Sequence, residues 1–190
     1  MMWQSTAFIL AVAVGAPVFA QPSPAAPPAF VDRLRRALPA EEYVRRTAAN
    51  DLFQQQSARL MLRSSRHPEI RRLAQAILSD HRRAATELRA AAAGADVRID
   101  AKLSTVEFAQ MLGKLTAASA ENRDMLYLVQ QRAVHERALA MHEDYANGGD
   151  QPALQEAAAG FAEIERGHLA LLAMEDPAAP IPAASISPVP

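Results

Sequence analysis

Five histidines are the residues of this 190-residue chain best suited to chemistry: His67, His81, His135, His142 and His168. A neutral imidazole offers one lone pair to a metal ion or a proton, and it titrates near physiological pH. His67 stands beside Pro68 at a helix start and reads as an exposed capping residue. The other four fall inside helical runs, where their phase is informative. His81 interrupts the apolar series Ile70, Ala74, Ile77, Ala84, Leu88 and Ala92, whose steps of three and four mark a core-facing seam. His168 interrupts Leu154, Ala157, Phe161, Ile164 and Leu171 in the same way. Tyr127, Gln131, His135, Ala138, His142 and Tyr145 share a third face, unusually polar for a core. Glu165 lies three residues before His168 and completes a Glu-x-x-His pair.

Carboxylate-bridged two-metal bundles take such a pair from each of two helices and a single Glu from each of two others. Here Leu78 and Arg132 stand three residues before His81 and His135, and the first helix offers Asp51, Gln54, Gln55 and Gln56. An amide supplies no charge to balance a second ion, so the pattern argues against a di-iron or di-manganese centre. Two readings remain. In the first, which needs no cofactor and is the default, the imidazoles form a buried hydrogen-bonded network with Tyr127, Asp124, Gln54 and Asp80 that fixes helix register. In the second, His81, His135, His142, His168 and Glu165 supply the ligands of a single transition-metal ion.

The elements that must position these residues are all helical. Ala, Leu, Arg, Gln and Glu dominate, and no alternating run of β-branched residues occurs. Pro39 with Glu41 and Glu42 opens a helix running to about Ser64, and Pro68 with Glu69 opens a second running to about Ala93, before Gly94. Ser104 and Glu107 have the spacing of a capping box and start a short helix to about Ala117. A long helix then runs from Ala120 to Asn147 and stops at Gly148-Gly149; Asp150 caps a last helix, with Pro152 in its first turn, that reaches Met174. The expected fold is a ferritin-like four-helix bundle over residues 34–175. A short extra helix lies in the crossover between the second and third long helices.

Thr6–Ala20 is a 15-residue apolar run, shorter than the about 20 residues of a membrane span. It reads as a signal peptide over residues 1–20 cleaved after Ala20, leaving no transmembrane anchor. The lack of a basic residue before it keeps an uncleaved anchor as the alternative. Residues 21–33 and 176–190 are Pro- and Ala-rich and read as linker and disordered tail. The expected location is periplasmic or secreted. With 20 basic and 21 acidic residues, the net charge of −1 argues against nucleic-acid binding, and the absence of cysteine excludes disulfides, thiol catalysis and iron–sulfur clusters.

Four segments, in order, resemble a known family. They are Ala48–Gln54, Leu73–His81 with its Asp80-His81 pair, Asp124 with Tyr127 and His135, and Glu165 with His168. Over about residues 43–174 the chain resembles the exported ferritin-like proteins of bacteria grouped as domain of unknown function 4142 (DUF4142). Gln54 stands where that family often has Glu, and Arg123 where it often has Phe. The resemblance implies a ferritin-like fold and an envelope location, and no particular activity. There is no Gly-rich phosphate loop, nucleophile elbow or Ser–His–Asp order, so the sequence points to a non-enzymatic, stress-related module. Arg45-Arg46, Arg71-Arg72 and Arg82-Arg83 suit carboxylate or phosphate groups, of an envelope partner or of a second copy of the chain.

Overall fold

A computed structural model describes residues 38–99 and 105–175. The signal peptide, linker and tail expected over 1–20, 21–33 and 176–190, and Ser104, lie outside the described residues. Five helices make up the rest: α1 (Ala40–Ser64), α2 (Pro68–Gly94), α3 (Val106–Ala117), α4 (Ala120–Gly148) and α5 (Pro152–Met174). There is no strand among the described residues. No helix among them is long and apolar enough to cross a membrane.

Short turns make α1/α2 and α4/α5 antiparallel hairpins. Side-chain bonds then set the hairpins against each other. Tyr43 with His142 and Ser65 with Asp124 run α4 antiparallel to α1. Asp80 with His168, and Gly94 beside Ala153, do the same for α5 and α2. The long helices therefore circle in the order α1, α2, α5, α4, with α2 and α4 at opposite corners. The end of α2 and the start of α4 therefore lie at opposite ends of the bundle, and α3, between them in the chain, packs on α1 and α4. The expected all-helical bundle with a short helix in its crossover is the observed architecture.

The apolar side chains collect in two clusters. One, around Tyr43, Val44, Leu88, Leu154 and Phe161, fills the end where Ala40, Gly94 and Pro152 meet. The other, around Met61, Leu73, Ile77, Leu115 and Leu172, fills the opposite end. Each fully buried Leu or Phe contributes roughly 1.5–3 kcal/mol by leaving water. Between the two clusters lies a polar layer that holds most of the histidines.

Several helix ends differ from the sequence reading. The cap of α3 is Thr105, whose hydroxyl accepts from the Phe108 amide at 3.1 Å, one residue beyond the expected Ser104. Helix α2 runs through Gly94 and closes at Asp96, which takes the left-handed conformation (φ 55°) usually left to glycine. Val97 N–H reaches Ala92 O at 2.8 Å and Asp96 N–H reaches Ala93 O at 3.3 Å, the paired bonds of a Schellman close. Asp150 does not cap α5, whose flanking residue is Gln151. Instead it accepts from Tyr145 O–H at 2.8 Å and from the Ala40 amide at 3.4 Å, so it caps α1 from 110 residues away. The Tyr145 ring, stacked on Tyr43 at 3.8 Å, lies where a side chain at position 149 would stand: a Cβ there meets it at 2.5 Å, so Gly149 is required. Asp150→Ala should lower stability by about 1 kcal/mol, or roughly 3 °C in Tm for a domain of this size. Calorimetry of the two proteins at neutral pH checks this, and an unchanged Tm would remove Asp150 as a tie between helices.

The core face of α5 is also rotated. Ala158, Ala162, Glu165 and Leu172 are buried with Leu154, Phe161 and His168, while Ala157 and Ile164 are only partly buried and Leu171 is exposed. The face turns toward the residues flanking Glu165 because that carboxylate itself points inward.

Candidate metal centre

Every long helix contributes to the polar layer: Asp51 from α1, His81 from α2, His135 from α4, and both Glu165 and His168 from α5. All five are at most 3% exposed. One donor atom from each of His81, His135, Glu165 and His168 lies within 4.8 Å of all the others. Four of the five expected ligands are thus brought together. His142 is the exception. It sits one layer away, with Nδ1 2.9 Å from Tyr43 Oη and Nε2 3.8 Å from Glu165 Oε1, because two turns of α4 separate it from His135.

Each clustered imidazole is held by its outer nitrogen. His81 Nδ1 lies 2.8 Å from Asp51 Oδ1, and its Nε2 has no hydrogen-bond partner among the described residues. His135 Nδ1 lies 2.8 Å from the Gln131 carbonyl, to which it can donate, and 3.2 Å from Gln54 Nε2, from which it can accept in the other tautomer. His168 Nε2 donates to Asp80 Oδ2 at 3.1 Å. An acceptor on the outer nitrogen places the proton there in a neutral ring, which leaves the inner nitrogen as a lone pair. The inner nitrogens of His135 and His168 nevertheless face each other at 3.1 Å. With the protons so placed, a cation between the two lone pairs would satisfy both; with the His135 proton on Nε2 instead, Nδ1 accepts from Gln54 Nε2–H and the 3.1 Å contact is a neutral hydrogen bond.

The electrostatics point the same way. Burial, reinforced by the charge of His81, holds His135 well below the ordinary histidine range and His168 down to about 4. Burial also pushes His142 down to about 3. These three rings are therefore held neutral at neutral pH. Burial likewise opposes charge on His81, but the Asp51 bond and the charges of Asp51, Glu165 and Asp80 outweigh it and raise its pKa. Burial lifts the Asp51 carboxyl, with His81 opposing. Glu165 is pushed up to about 7 by burial, with His81 and its 3.5 Å contact to Asn50 Nδ2 pulling the other way.

Of the residues expected in the polar network, Gln54 and Asp80 do belong to it. Asp124 does not. It lies at the far end of the bundle, accepts from Ser65 Oγ at 2.8 Å and has the exposed His67 3.8 Å away. Tyr127 is fully buried among apolar neighbours, and its hydroxyl makes no hydrogen bond to the described residues. Three contributors were not singled out from sequence: Asp51 as the partner of His81, Asn50 as a contact of Glu165, and Tyr43 as the partner of His142. The available signal was the series Tyr43, Thr47, Asn50, Asp51, Gln54 and Ser57, a polar seam at core spacing on α1.

No curated protein sequence matches this chain at a significant level. Two solved structures share its fold. A DUF305 fragment from Deinococcus radiodurans superposes with a TM-score of 0.61 and 19% identity, covering 72% of this chain and 95% of that one. CopM in its Cu(II)-bound form superposes with a TM-score of 0.62 and 16% identity, covering 73% of this chain and 96% of that one. At such identities the likeness is one of fold. The model of the family described as a domain of unknown function, DUF4142, matches residues 23–174, which hold all five helices and the whole polar layer, and the chain belongs to that family.

Proposed function

We propose that His81, His135, Glu165 and His168 form a mononuclear site for a divalent transition-metal ion, in a non-enzymatic bundle exported to the bacterial envelope. The observation that carries the metal reading is the convergence of one donor atom from each of four buried residues within 4.8 Å of one another, with His81 Nε2 lacking any hydrogen-bond partner among the described residues and His135 Nε2 standing 3.1 Å from His168 Nδ1. Two nitrogen ligands, each about 2.1 Å from a tetrahedral ion, stand about 3.4 Å apart, close to the separation found here. The outer partners are those a metal site requires. Asp51 and Asp80 hold His81 and His168 as carboxylate–histidine pairs, and a backbone carbonyl holds His135. Two buried carboxylates, Glu165 and Asp51, match one divalent ion and leave nothing to balance a second. The apolar run Thr6–Ala20 supports export.

Imidazole with carboxylate suits copper, zinc, iron and nickel alike. The Cu(II)-bound form of the CopM neighbour makes copper(II) the first ion to try. Metal-free protein titrated with copper(II) and zinc(II) should take up one equivalent. Its Tm should rise by several degrees once free metal exceeds about 100 Kd, where linkage adds about 2.7 kcal/mol. His81→Ala should abolish the shift. Asp51→Asn should weaken binding 10- to 100-fold through loss of the carboxylate behind His81. If copper, zinc, iron, nickel and manganese all leave Tm unchanged, the metal reading fails and the layer is a register-fixing hydrogen-bond network.

A further inference from the structure

An ion bound at this cluster has to reach it, because every ligand is almost wholly shielded from solvent. Two surface grooves come within one side chain of the ligands. Between α1, α3 and α4, a groove of about 340 Å³ reaches Asn50, whose amide contacts Glu165. Arg45, Arg46 and Arg137 line it; Glu42 pairs with the first two and Glu107 with the third, which leaves one positive charge in excess. That wall carries net positive charge and repels a cation. Between α2 and α5, a second groove of about 450 Å³ has the edge of His168 itself in its wall. Its charged lining is reversed: Asp80, Glu87 and Glu163 against Arg83. Arg83 and the neighbouring Arg166 are engaged with Asp80 and Glu163, which leaves Glu87 to add uncompensated negative charge.

Two further features fit this second groove to passage. Gly160 and Gly167 stand in its wall on α5, and no atom lies within 4 Å of where either Cβ would be. Glycine inside a helix costs up to about 1 kcal/mol against alanine, and close packing is not the reason for either one. What they leave is open space beside His168. Asp80, about one-third exposed, accepts from the outer nitrogen of His168, so a single hydrogen bond separates solvent from a ligand ring.

We infer that the groove between α2 and α5 is the entry and exit route for the ion, with Asp80 as its outer carboxylate and His168 as the ligand that turns to admit it. This rests on the metal reading above. A hydrated divalent cation is drawn into the acidic mouth and exchanges a water for Asp80. It passes inward as His168 releases Asp80 and swings, and the ring then closes behind it. Asp80 is a positioning and transfer group here, since the final ligand set lies behind it.

The test measures copper(II) uptake by stopped-flow absorbance and copper release to excess EDTA. Gly167→Leu fills the groove without meeting a neighbour and replaces glycine by a better helix former. It should slow uptake and release together by tenfold or more, leaving Kd within about twofold. Asp80→Asn keeps an acceptor for His168 but removes the charge. It should slow uptake and flatten its dependence on ionic strength. Arg45→Trp, at an exposed position of the arginine-lined groove, should slow neither rate. Unaltered rates in Gly167→Leu, or slowing by Arg45→Trp instead, would overturn the route. A metal-free readout keeps the two ideas apart. Diethylpyrocarbonate followed by mass spectrometry should modify His168 before His81, His135 and His142, and Gly167→Leu should protect it. Were no metal to bind while His168 still reacted first, the metal reading and the ion's route would fall together and only the opening beside His168 would stand; were His168 as slow as the other three, the opening itself would be disproved.

Discussion

Glu165→Gln is expected to make the metal-free protein more stable at pH 8 and, in the same stroke, blind to metal. Glu165 is 1% exposed, and burial pushes its carboxyl up to about 7. A carboxyl whose folded pKa lies above its unfolded one holds a proton in the folded state that the unfolded chain has released. Its contribution therefore falls as pH rises from 4.5 and is fully unfavourable above about 7. The difference of two to three pKa units corresponds to about 3 kcal/mol. Glutamine keeps the shape and removes the charge, so at pH 8 Tm should rise by on the order of 5–10 °C. At pH 4.5 the gain should vanish, because the native carboxyl is then neutral as well. Melting curves at both pH values, with and without copper(II), give the answer. A variant that melts below the native protein at pH 8 would show that the ionised carboxylate stabilises the metal-free fold, and would leave a metal ion nothing to compensate.

The native, metal-free protein should itself lose stability as pH falls from 6.5 to 5. His135, His142 and His168 are held below their ordinary value, so the unfolded chain takes up three protons that the folded chain refuses. Such groups stabilise the fold above about 6.5, and that stability drains away as pH falls toward their folded pKa values. Glu165, pushed up to about 7, acts in the opposite sense and holds a proton only in the folded state across this interval; burial shifts Asp51 in the same direction, with His81 opposing. His81 is raised too, and below 6.5 it is charged in both states and adds no slope. Three protons against the one on Glu165 leave a net of at most two, or up to about 2.7 kcal/mol lost per pH unit. In Glu165→Gln that opposing proton is gone and the slope should steepen. Circular-dichroism melts at half-unit intervals can resolve this. A Tm flat from 6.5 to 5 in both proteins would mean that the buried rings are not held neutral. With metal bound the decline should be steeper, since protons then compete directly for its ligands.

Much of this arrangement was visible in the sequence, and what was missed shares a physical cause. Helix positions and the inward phase of His81, His135 and His168 follow from the 3.6-residue period, a property of one helix at a time. The period states which face is inward and not which residue on another helix it meets. His142 and His135 share the core face of α4 two turns apart, so phase alone could not show that only His135 meets the others. Asp124 and Tyr127 lie on the same face as well, but the register of α1 against α4 puts them at an apolar end. On α5 the face was placed one residue off because Leu171 was counted inward and Glu165 was set beside the stripe. Treating Glu165 as a core residue restores the series Leu154, Ala158, Phe161, Glu165, His168 and Leu172. The distant ties, Asp150 to Ala40 and Asp51 to His81, depend on the assembled bundle and have no local signature beyond the polar seam on α1.

The ligands are divided between the two hairpins: His81 with its Asp51 support comes from α1/α2, while His135, Glu165 and His168 come from α4/α5. An ion bound there ties halves of the chain that are more than fifty residues apart, and neither hairpin can hold it alone. It acts as a removable staple whose contacts are complete only after the hairpins have docked. Interactions absent from the folding transition state slow unfolding without hastening folding. The metal should therefore lengthen the lifetime of the assembled bundle far more than it shortens the time needed to build it. Wherever an unfolded chain meets proteases faster than it refolds, that lifetime decides how long the protein lasts.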